Sequence, residues 1–240
     1  MERYTHMRFG WLVALAACGP AAAPPPLSGS ATTSASESPT PTIAWRGREI
    51  ATTGLPAIAR DGSSVVLAHR DTDGGRGNPN VTLIEKDRDD RAVGQLVVVT
   101  ATDVDELTPA QLAERFAKAG AWLRERHAAR HLVPLTTLAT SRPTDDAAAQ
   151  ATGTGVTLRW VPNQLVIERP HGAPVTRATP VSWLAADHPM CRNCSEVCHN
   201  DAFLGGGHVD LERSVAIVVV SYRGTDTCWE PSSDEHVVAW

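Results

Sequence analysis

The chain has 240 residues, of which 42% are hydrophobic and 20% charged, and its formal net charge is −5. This composition supports a packed core and excludes disorder throughout the chain. The acidic balance argues against a nucleic-acid-binding function, which needs a basic surface.

The first element in chain order is a short apolar run after a weakly basic start. Arg3 and Arg8 precede the nine-residue apolar run FGWLVALAA at residues 9–17. A helix of that length spans roughly 14 Å, about half of a bilayer core, which is too short for a transmembrane helix and typical of a signal peptide. The sequence therefore predicts that residues 1–17 are a signal peptide and that the protein is exported.

The apolar run ends in Leu15-Ala16-Ala17-Cys18. This sequence resembles the lipobox of bacterial lipoproteins. The resemblance implies cleavage before Cys18, a diacylglycerol on its sulfur and an acyl chain on the new amino group, and several chains together give stable anchoring. In that family the residue after the cysteine influences sorting, and Gly19 is not the aspartate that retains lipoproteins at the inner membrane. The resemblance therefore favours an outer-membrane lipoprotein anchored through Cys18.

A segment rich in proline, serine and threonine follows. Residues 18–43 contain six prolines and a single charge, Glu37. Such a segment buries too little apolar surface to offset the entropy cost of ordering, so we expect a disordered tether. The rest of the chain is expected to be a single globular domain over residues 44–240, with two β-rich halves at about 44–139 and 155–240.

The first half contains stretches rich in β-branched residues, separated by turn sequences. Turn formers such as Asp61-Gly62 join these stretches, which predicts an antiparallel meander. The predicted strands are SVVLAH at 64–69, VTLIEK at 81–86 and QLVVVT at 95–100.

One helix is marked by its start signals and its apolar periodicity. Thr108, Pro109 and Gln111 have the pattern of a capping box with proline at the first helical position. Apolar residues then recur at helical spacing on one face, which predicts an amphipathic helix over about 109–131. The residues on that face are Leu112, Phe116, Ala119 and Leu123.

The second half repeats the pattern of short strands and turns. The predicted strands are 156–161, 165–169, 175–183, 214–222 and an edge strand at 236–240. The run SVAIVVVSY at 214–222 is the most apolar of the mature chain, so we expect a central strand there. Residues 184–213 lack a period and are expected to be irregular. Together these elements predict an α+β fold of mainly antiparallel β meanders with one amphipathic helix and a disulfide-stapled C-terminal segment.

Four cysteines remain besides Cys18, and three of them lie close together beside a histidine. The residues are Cys191, Cys194, Cys198 and His199, with Cys228 further on. An even number of cysteines in an exported chain favours disulfides. Every possible pairing joins Cys228 to one member of the cluster. We therefore expect two structural disulfides.

Three other chemistries remain open for these residues. The four thiolates, or three with His199, could hold zinc, because Cys-x2-Cys is a proper ligand spacing. Cys191 and Cys194 could form a redox-active pair if a thioredoxin-like strand and helix surrounded them. A c-type haem requires Cys-x-x-Cys-His, and the spacing from Cys194 to Cys198 is one residue too long.

The chain lacks the Gly-x-Ser-x-Gly and His-Glu-x-x-His motifs of two common hydrolase classes. We expect a non-catalytic binding or scaffolding module of the cell envelope, with no cofactor and no metal site. Its expected partners are the membrane, through the lipid on Cys18, and an envelope protein or glycan. The alternative is a metal-dependent or thiol-redox envelope enzyme built on Cys191, Cys194, Cys198, His199 and Cys228.

Overall fold

A computed structural model shows sixteen strands and two helices in the part of the chain that it describes. The described residues are 38–47, 49–72, 77–141, 150–161, 164–178, 202–222 and 233–240. The helices are α1 (Ala101–Glu106) and α2 (Pro109–Arg130). The strands are β1 (Thr42–Arg46), β2 (Glu49–Thr53), β3 (Ala57–Ile58), β4 (Ser64–Thr72), β5 (Pro79–Asp87), β6 (Ala92–Val99), β7 (Val133–Pro134), β8 (Thr136–Thr137), β9 (Ala139–Ser141), β10 (Gln150–Gly153), β11 (Val156–Val161), β12 (Gln164–Glu168), β13 (Val175–Ala178), β14 (Ala202–Asp210), β15 (Val215–Tyr222) and β16 (Ser233–Ala239).

The strands form one hairpin and three larger sheets, and the pairs between described strands are antiparallel. The hairpin consists of β1 and β2. Sheet A has the order β6-β5-β4-β3-β7, sheet B the order β8-β14-β15-β16, and sheet C the order β9-β10-β11-β12-β13. The expected class, α+β with mainly antiparallel β meanders and one long helix, is confirmed, and the structure adds the short helix α1.

Helix α2 and the three sheets are stacked in the order α2, sheet A, sheet B, sheet C. Strand β4 shows how this arises. Val66 packs in one core with Phe116 of α2, whereas Val65 and Leu67 pack in another core with Ile217 of β15. Successive side chains of a strand point to opposite faces, so β4 is buried on both.

Strand β15 is also buried on both faces. Ile217 belongs to the core between sheets A and B, whereas Val218 and Val220 belong to the core between sheets B and C. The position of β15 between β14 and β16 confirms the expected central strand. Burial on both faces explains why its sequence is continuously apolar rather than alternating.

A single segment after α2 connects all three sheets. Within it, β7 pairs with β3 in sheet A, β8 with β14 in sheet B, and β9 with β10 in sheet C. Leu132, Leu135 and Leu138 are buried, each in a different one of the three cores. The amides of Leu135 and Leu138 donate to the carbonyls of Pro56 and Gly207, both at 2.9 Å. Regularly spaced leucines therefore fix this segment across the layers.

Helix α2 begins as its sequence predicts. The Thr108 hydroxyl accepts a hydrogen bond from the amide of Gln111, and the Gln111 side chain accepts one from the amide of Thr108. The helix ends at Arg130, and His131 caps it in the left-handed conformation. The buried residues of α2 are Leu112, Phe116, Ala119, Leu123 and His127. The predicted apolar face is thus confirmed.

The strand β14 corrects the expectation of irregular structure over residues 184–213. Its glycines conceal the strand signal in the sequence, because glycine weakens a strand and supplies no alternating side chain. The structure gives the reason for one of them. A Cβ atom at Gly207 would lie 2.6 Å from Cδ1 of Leu158 in sheet C, so close packing of the two sheets requires glycine there.

Two further features were also not anticipated. Helix α1 is six residues long and is capped reciprocally by Thr100 and Asp103. Strand β1 begins at Thr42, slightly before the expected start of the domain at residue 44. Within the described ranges, neither helix has both the length and the apolar character needed to cross a membrane.

Candidate functional site

The predicted site residues lie outside the described residues. They are Cys18, Cys191, Cys194, Cys198, His199 and Cys228. Their roles in lipidation, disulfide formation or metal binding therefore stay predictions. Two other features of the described chain have the properties of a site: a groove beside α2, called the α2 groove below, and a group of polar side chains around β16, called the β16 cluster.

The α2 groove lies between β1 and one side of α2. Its volume is about 670 Å³, which is within the range of ligand-binding pockets. Strand β1 contributes Ile43 and Trp45 to its lining, and α2 contributes Phe116. The rings of Trp45 and Phe116 are in contact, with their centroids 5.8 Å apart. The groove therefore offers a mainly apolar surface that includes two aromatic rings.

Small residues of α2 leave room for a ligand. Ala113, Ala117 and Gly120 line the groove, and their spacing of three to four residues places them on one helical face. Ala113 and Ala117 are exposed, and Gly120 is half-buried. Because none of the three has a side chain beyond Cβ, this face of α2 leaves space in the groove.

Among the described residues that line the groove, Arg124 is the one with a charged side chain. Its side chain is exposed and folds over Gly120, where an added Cβ would lie 3.4 Å from Nη1 of the arginine. Two other arginines near the end of the helix, Arg126 and Arg130, form ion pairs with Glu85 of β5. Arg124 forms no ion pair with another described residue. Its guanidinium is thus available to an anionic group in the groove.

The β16 cluster joins residues from β4, β5, the turn after β5, and β16. His69 Nδ1 of β4 is hydrogen-bonded to Oε2 of Glu235 at 2.7 Å. Lys86 of β5 donates from Nζ to Oδ1 of Asp90 at 2.9 Å, and it also donates to the backbone carbonyl of Glu235. These contacts connect sheet A to the outer strand of sheet B.

Asp90 is the most extensively hydrogen-bonded carboxylate of the cluster. Besides Lys86, it accepts hydrogen bonds from His236 Nδ1 at 2.6 Å and from the amide of Val237 at 2.8 Å. Burial alone would raise the pKa of Asp90, but these hydrogen bonds outweigh it and hold the pKa below its usual value. On the edge of β16 that does not face β15, Asp90 and Lys86 therefore pair with backbone groups that a neighbouring strand would otherwise satisfy.

His69 lies in a negatively charged environment. The hydrogen bond to Glu235 raises the pKa of His69, and although burial opposes this, the charges of Glu235, Asp234 and Asp71 raise it further. Atoms of His69, Asp234 and Glu235 that can bind a metal all lie within 4.8 Å of one another. Within this group, Oδ1 of Asp234 accepts a hydrogen bond from the amide of Glu235 at 2.9 Å.

The sequence did not predict the β16 cluster. His69 and Glu235 are 166 residues apart, and Asp90 and His236 are 146 apart, so no local motif joins them. The available signal was the run Asp234-Glu235-His236, three consecutive ionisable residues directly before the apolar residues Val237-Val238-Ala239.

Comparison of the chain with protein-family models, with curated proteins and with solved structures gives no match. The α2 groove and the β16 cluster therefore provide the chemical basis for a functional proposal.

Proposed function

We propose that this protein is a lipid-anchored binding module of the bacterial cell envelope, which holds an apolar, acidic peptide segment of an envelope protein in the α2 groove without catalysing a reaction. The observation that carries this proposal is a mainly apolar groove whose described lining includes one charge, the guanidinium of Arg124. Aliphatic side chains suit the apolar lining, and a carboxylate suits the guanidinium.

The chemistry of the groove favours a protein segment over a glycan. A glycan carries hydroxyl groups over most of its surface, and burial of a hydroxyl without a hydrogen bond costs free energy. The α2 side of the groove offers alanine and glycine at Ala113, Ala117 and Gly120, which provide no side-chain hydrogen bonds. A peptide can instead bury aliphatic side chains against these residues and the rings of Trp45 and Phe116.

The lipobox supports attachment to the membrane at Cys18. The proline-rich tether that begins at Cys18 leads into β1, which begins at Thr42 and itself lines the groove. A flexible chain of this length reaches roughly 28 Å, and an extended polyproline chain roughly 75 Å, so the domain would be held within reach of partners near the membrane. The mass of the mature protein should include the lipid, Cys18→Ser should abolish it, and Cys191→Ser should retain it.

The proposal includes two structural disulfides among Cys191, Cys194, Cys198 and Cys228. Their support is the even number of cysteines and the oxidising compartment. The intact mass of the exported, unreduced protein should be four hydrogens below that of the reduced chain. A full hydrogen count with a metal retained under native conditions would instead assign the cysteines to a metal site.

A photo-crosslinking amino acid at position 117 tests the occupant of the groove in the cell. Ala117 is exposed, so the replacement leaves the core unchanged. We expect a cross-link to one envelope protein, at a segment with aliphatic and acidic residues. Position 129 is the matched control, because Ala129 is exposed on the same helix but does not line the groove. Equal labelling at both positions, or cross-linking to a segment without an acidic residue, would contradict the proposal.

The synthetic peptide of the cross-linked segment then tests binding and the absence of catalysis. Ala117→Leu fills the groove and should weaken peptide binding, whereas Ala129→Leu should not. Arg124→Glu should also weaken binding, and Lys118→Glu, an exposed charge reversal outside the lining, is its control. Mass spectrometry of the peptide after incubation should show it unchanged, and a cleaved or modified product would reject a non-catalytic role.

A further inference from the structure

Strand β1 borders the α2 groove with its backbone edge. Four consecutive residues of the strand, from Thr42 to Trp45, line the groove. Ile43 is buried and Trp45 half-buried, whereas Thr42 and Ala44 are exposed, so the four belong to both faces of the strand. A groove that is lined from both faces of a strand runs along the edge between them. The main-chain atoms of β1 are therefore part of the groove surface.

This edge of β1 has no strand beside it in the part of the chain that the structure describes. Strand β1 pairs with β2 alone, from Thr42 opposite Thr53 to Arg46 opposite Glu49. No backbone hydrogen bond joins β1 to a described residue outside this hairpin. In an antiparallel pair, the amide and carbonyl of every second residue point away from the partner strand. The outer edge of β1 thus offers a row of amide and carbonyl groups to the groove.

The outer edge of β16 is closed, in contrast to that of β1. Asp90 accepts a hydrogen bond from the amide of Val237, and Lys86 donates one to the carbonyl of Glu235. Lysine and proline are residues that commonly block an open edge. The sequence of β1, TIAWR, contains neither. The β1 edge therefore remains competent to accept a further strand.

We propose that the acidic, apolar segment of the partner binds the α2 groove as an extended strand that pairs with the outer edge of β1. This inference rests on the proposed function and adds the conformation in which the segment is recognised. In this mode of peptide binding, main-chain hydrogen bonds supply affinity and alternate side chains supply specificity. The charge of Arg124, which lines the same groove, would then select the acidic residue of that strand.

Strand pairing predicts the spacing of the apolar residues in the partner segment. Residues directly opposite each other in paired strands point to the same face of the sheet. The residues of the segment opposite Ile43 and Trp45 would therefore join the apolar face that these side chains form with Phe116. Since Ile43 and Trp45 are two positions apart, we expect aliphatic residues at every second position. A helical segment would instead carry them three to four residues apart.

Backbone N-methylation of the partner peptide tests strand pairing directly. The probe is the synthetic peptide of the segment cross-linked at position 117, with one amide methylated at a time. A methylated amide cannot donate a hydrogen bond, and in a strand only alternate amides face β1. We expect methylation at alternate positions to weaken binding by roughly tenfold, which corresponds to the loss of one hydrogen bond. Methylation at the positions between them is the matched control and should have little effect.

Hydrogen exchange of the full-length protein gives a second measurement. Binding of the unmodified peptide should slow the exchange of alternate amides of β1. The Val237 amide, on the closed edge of β16, is the control and should be unaffected. Equal effects of methylation at successive positions, or unchanged exchange in β1 when the peptide is bound, would overturn strand pairing and leave the binding function of the groove intact. Failure to recover a single segment at position 117 would reject the proposed function and this inference with it.

Discussion

Arg130, the last residue of α2, is paired through Nε with Oε1 of Glu85 at a distance of 2.6 Å. Glu85 is 4% exposed on β5, and it also accepts a hydrogen bond from the Ser64 hydroxyl at 2.9 Å. Arg126 Nε lies 3.6 Å from its other oxygen, and the guanidinium of Arg126 stacks 4.0 Å from the ring of Trp122. The end of the long helix is thereby attached to sheet A around one buried carboxylate.

This arrangement predicts that loss of the two arginines and loss of the Glu85 charge lower the free energy of unfolding by different amounts. Replacement of both Arg126 and Arg130 by methionine leaves the Glu85 charge buried, which should lower the free energy of unfolding by about 3–5 kcal/mol. Glu85→Gln keeps a partner for Ser64 and leaves arginines that can reach water, so about 1–2 kcal/mol is expected. Urea denaturation measures both. A larger loss for Glu85→Gln than for the double variant would contradict this interpretation.

The edge of β16 should depend on the Asp90 carboxylate. Asp90→Asn removes the charge that Lys86, His236 and the amide of Val237 share, and about 2 kcal/mol of stability should be lost. Hydrogen exchange at the Val237 amide should become faster as the edge opens. Asp89→Asn is the matched control, because its side chain is 70% exposed. Similar exchange at Val237 in both variants would show that Asp90 does not protect this edge.

Close packing between sheets B and C predicts that Gly207 does not tolerate alanine. The added Cβ would lie 2.6 Å from Cδ1 of the buried Leu158, so Gly207→Ala should cost about 1–3 kcal/mol through overpacking. At the neighbouring Gly206 the nearest atom would be 3.7 Å away, and Gly206→Ala should change stability little. Chemical denaturation of the two variants gives the comparison, and an equal cost would argue against a steric cause.

The parts of the fold with local signals could be predicted from the sequence. The capping box at Thr108 and the apolar periodicity defined α2, and the apolar run at 214–222 identified the central strand β15. These signals arise from neighbours along the chain. By contrast, Gly207 of β14 reflects the approach of Leu158 from another sheet, and this contact leaves no signal in the local strand propensity.

The two sites could not be predicted for a related reason. The β16 cluster joins His69 to Glu235 across 166 residues, and the order of the sheets alone brings them together. The α2 groove depends on β1, whose short sequence gave no clear strand signal. The exposed alanines Ala113 and Ala117 line a groove only because this hairpin lies beside their helical face.

His208 should make the stability of the protein depend on pH. Burial lowers the pKa of His208 below its usual value of 6.5, so the unfolded chain binds a proton more readily than the folded one. This contribution to stability is present above the unfolded pKa and is lost as the pH falls. Between about pH 8 and about pH 5, His208→Gln should therefore lose less stability than the wild type. Thermal denaturation at several pH values measures this loss of stability. A loss in the variant that is equal to or steeper than that of the wild type would exclude this role.

The most direct test of a peptide-binding groove is a charge exchange between Arg124 and its ligand. The peptide identified by cross-linking at position 117 is synthesised with its acidic residue and with lysine in its place, and dissociation constants are measured for the wild type and for Arg124→Glu. Arg124→Glu should weaken binding of the acidic peptide roughly tenfold or more and strengthen binding of the lysine peptide. The same effect of Arg124→Glu on both peptides would contradict the proposal that Arg124 holds an acidic ligand in the α2 groove.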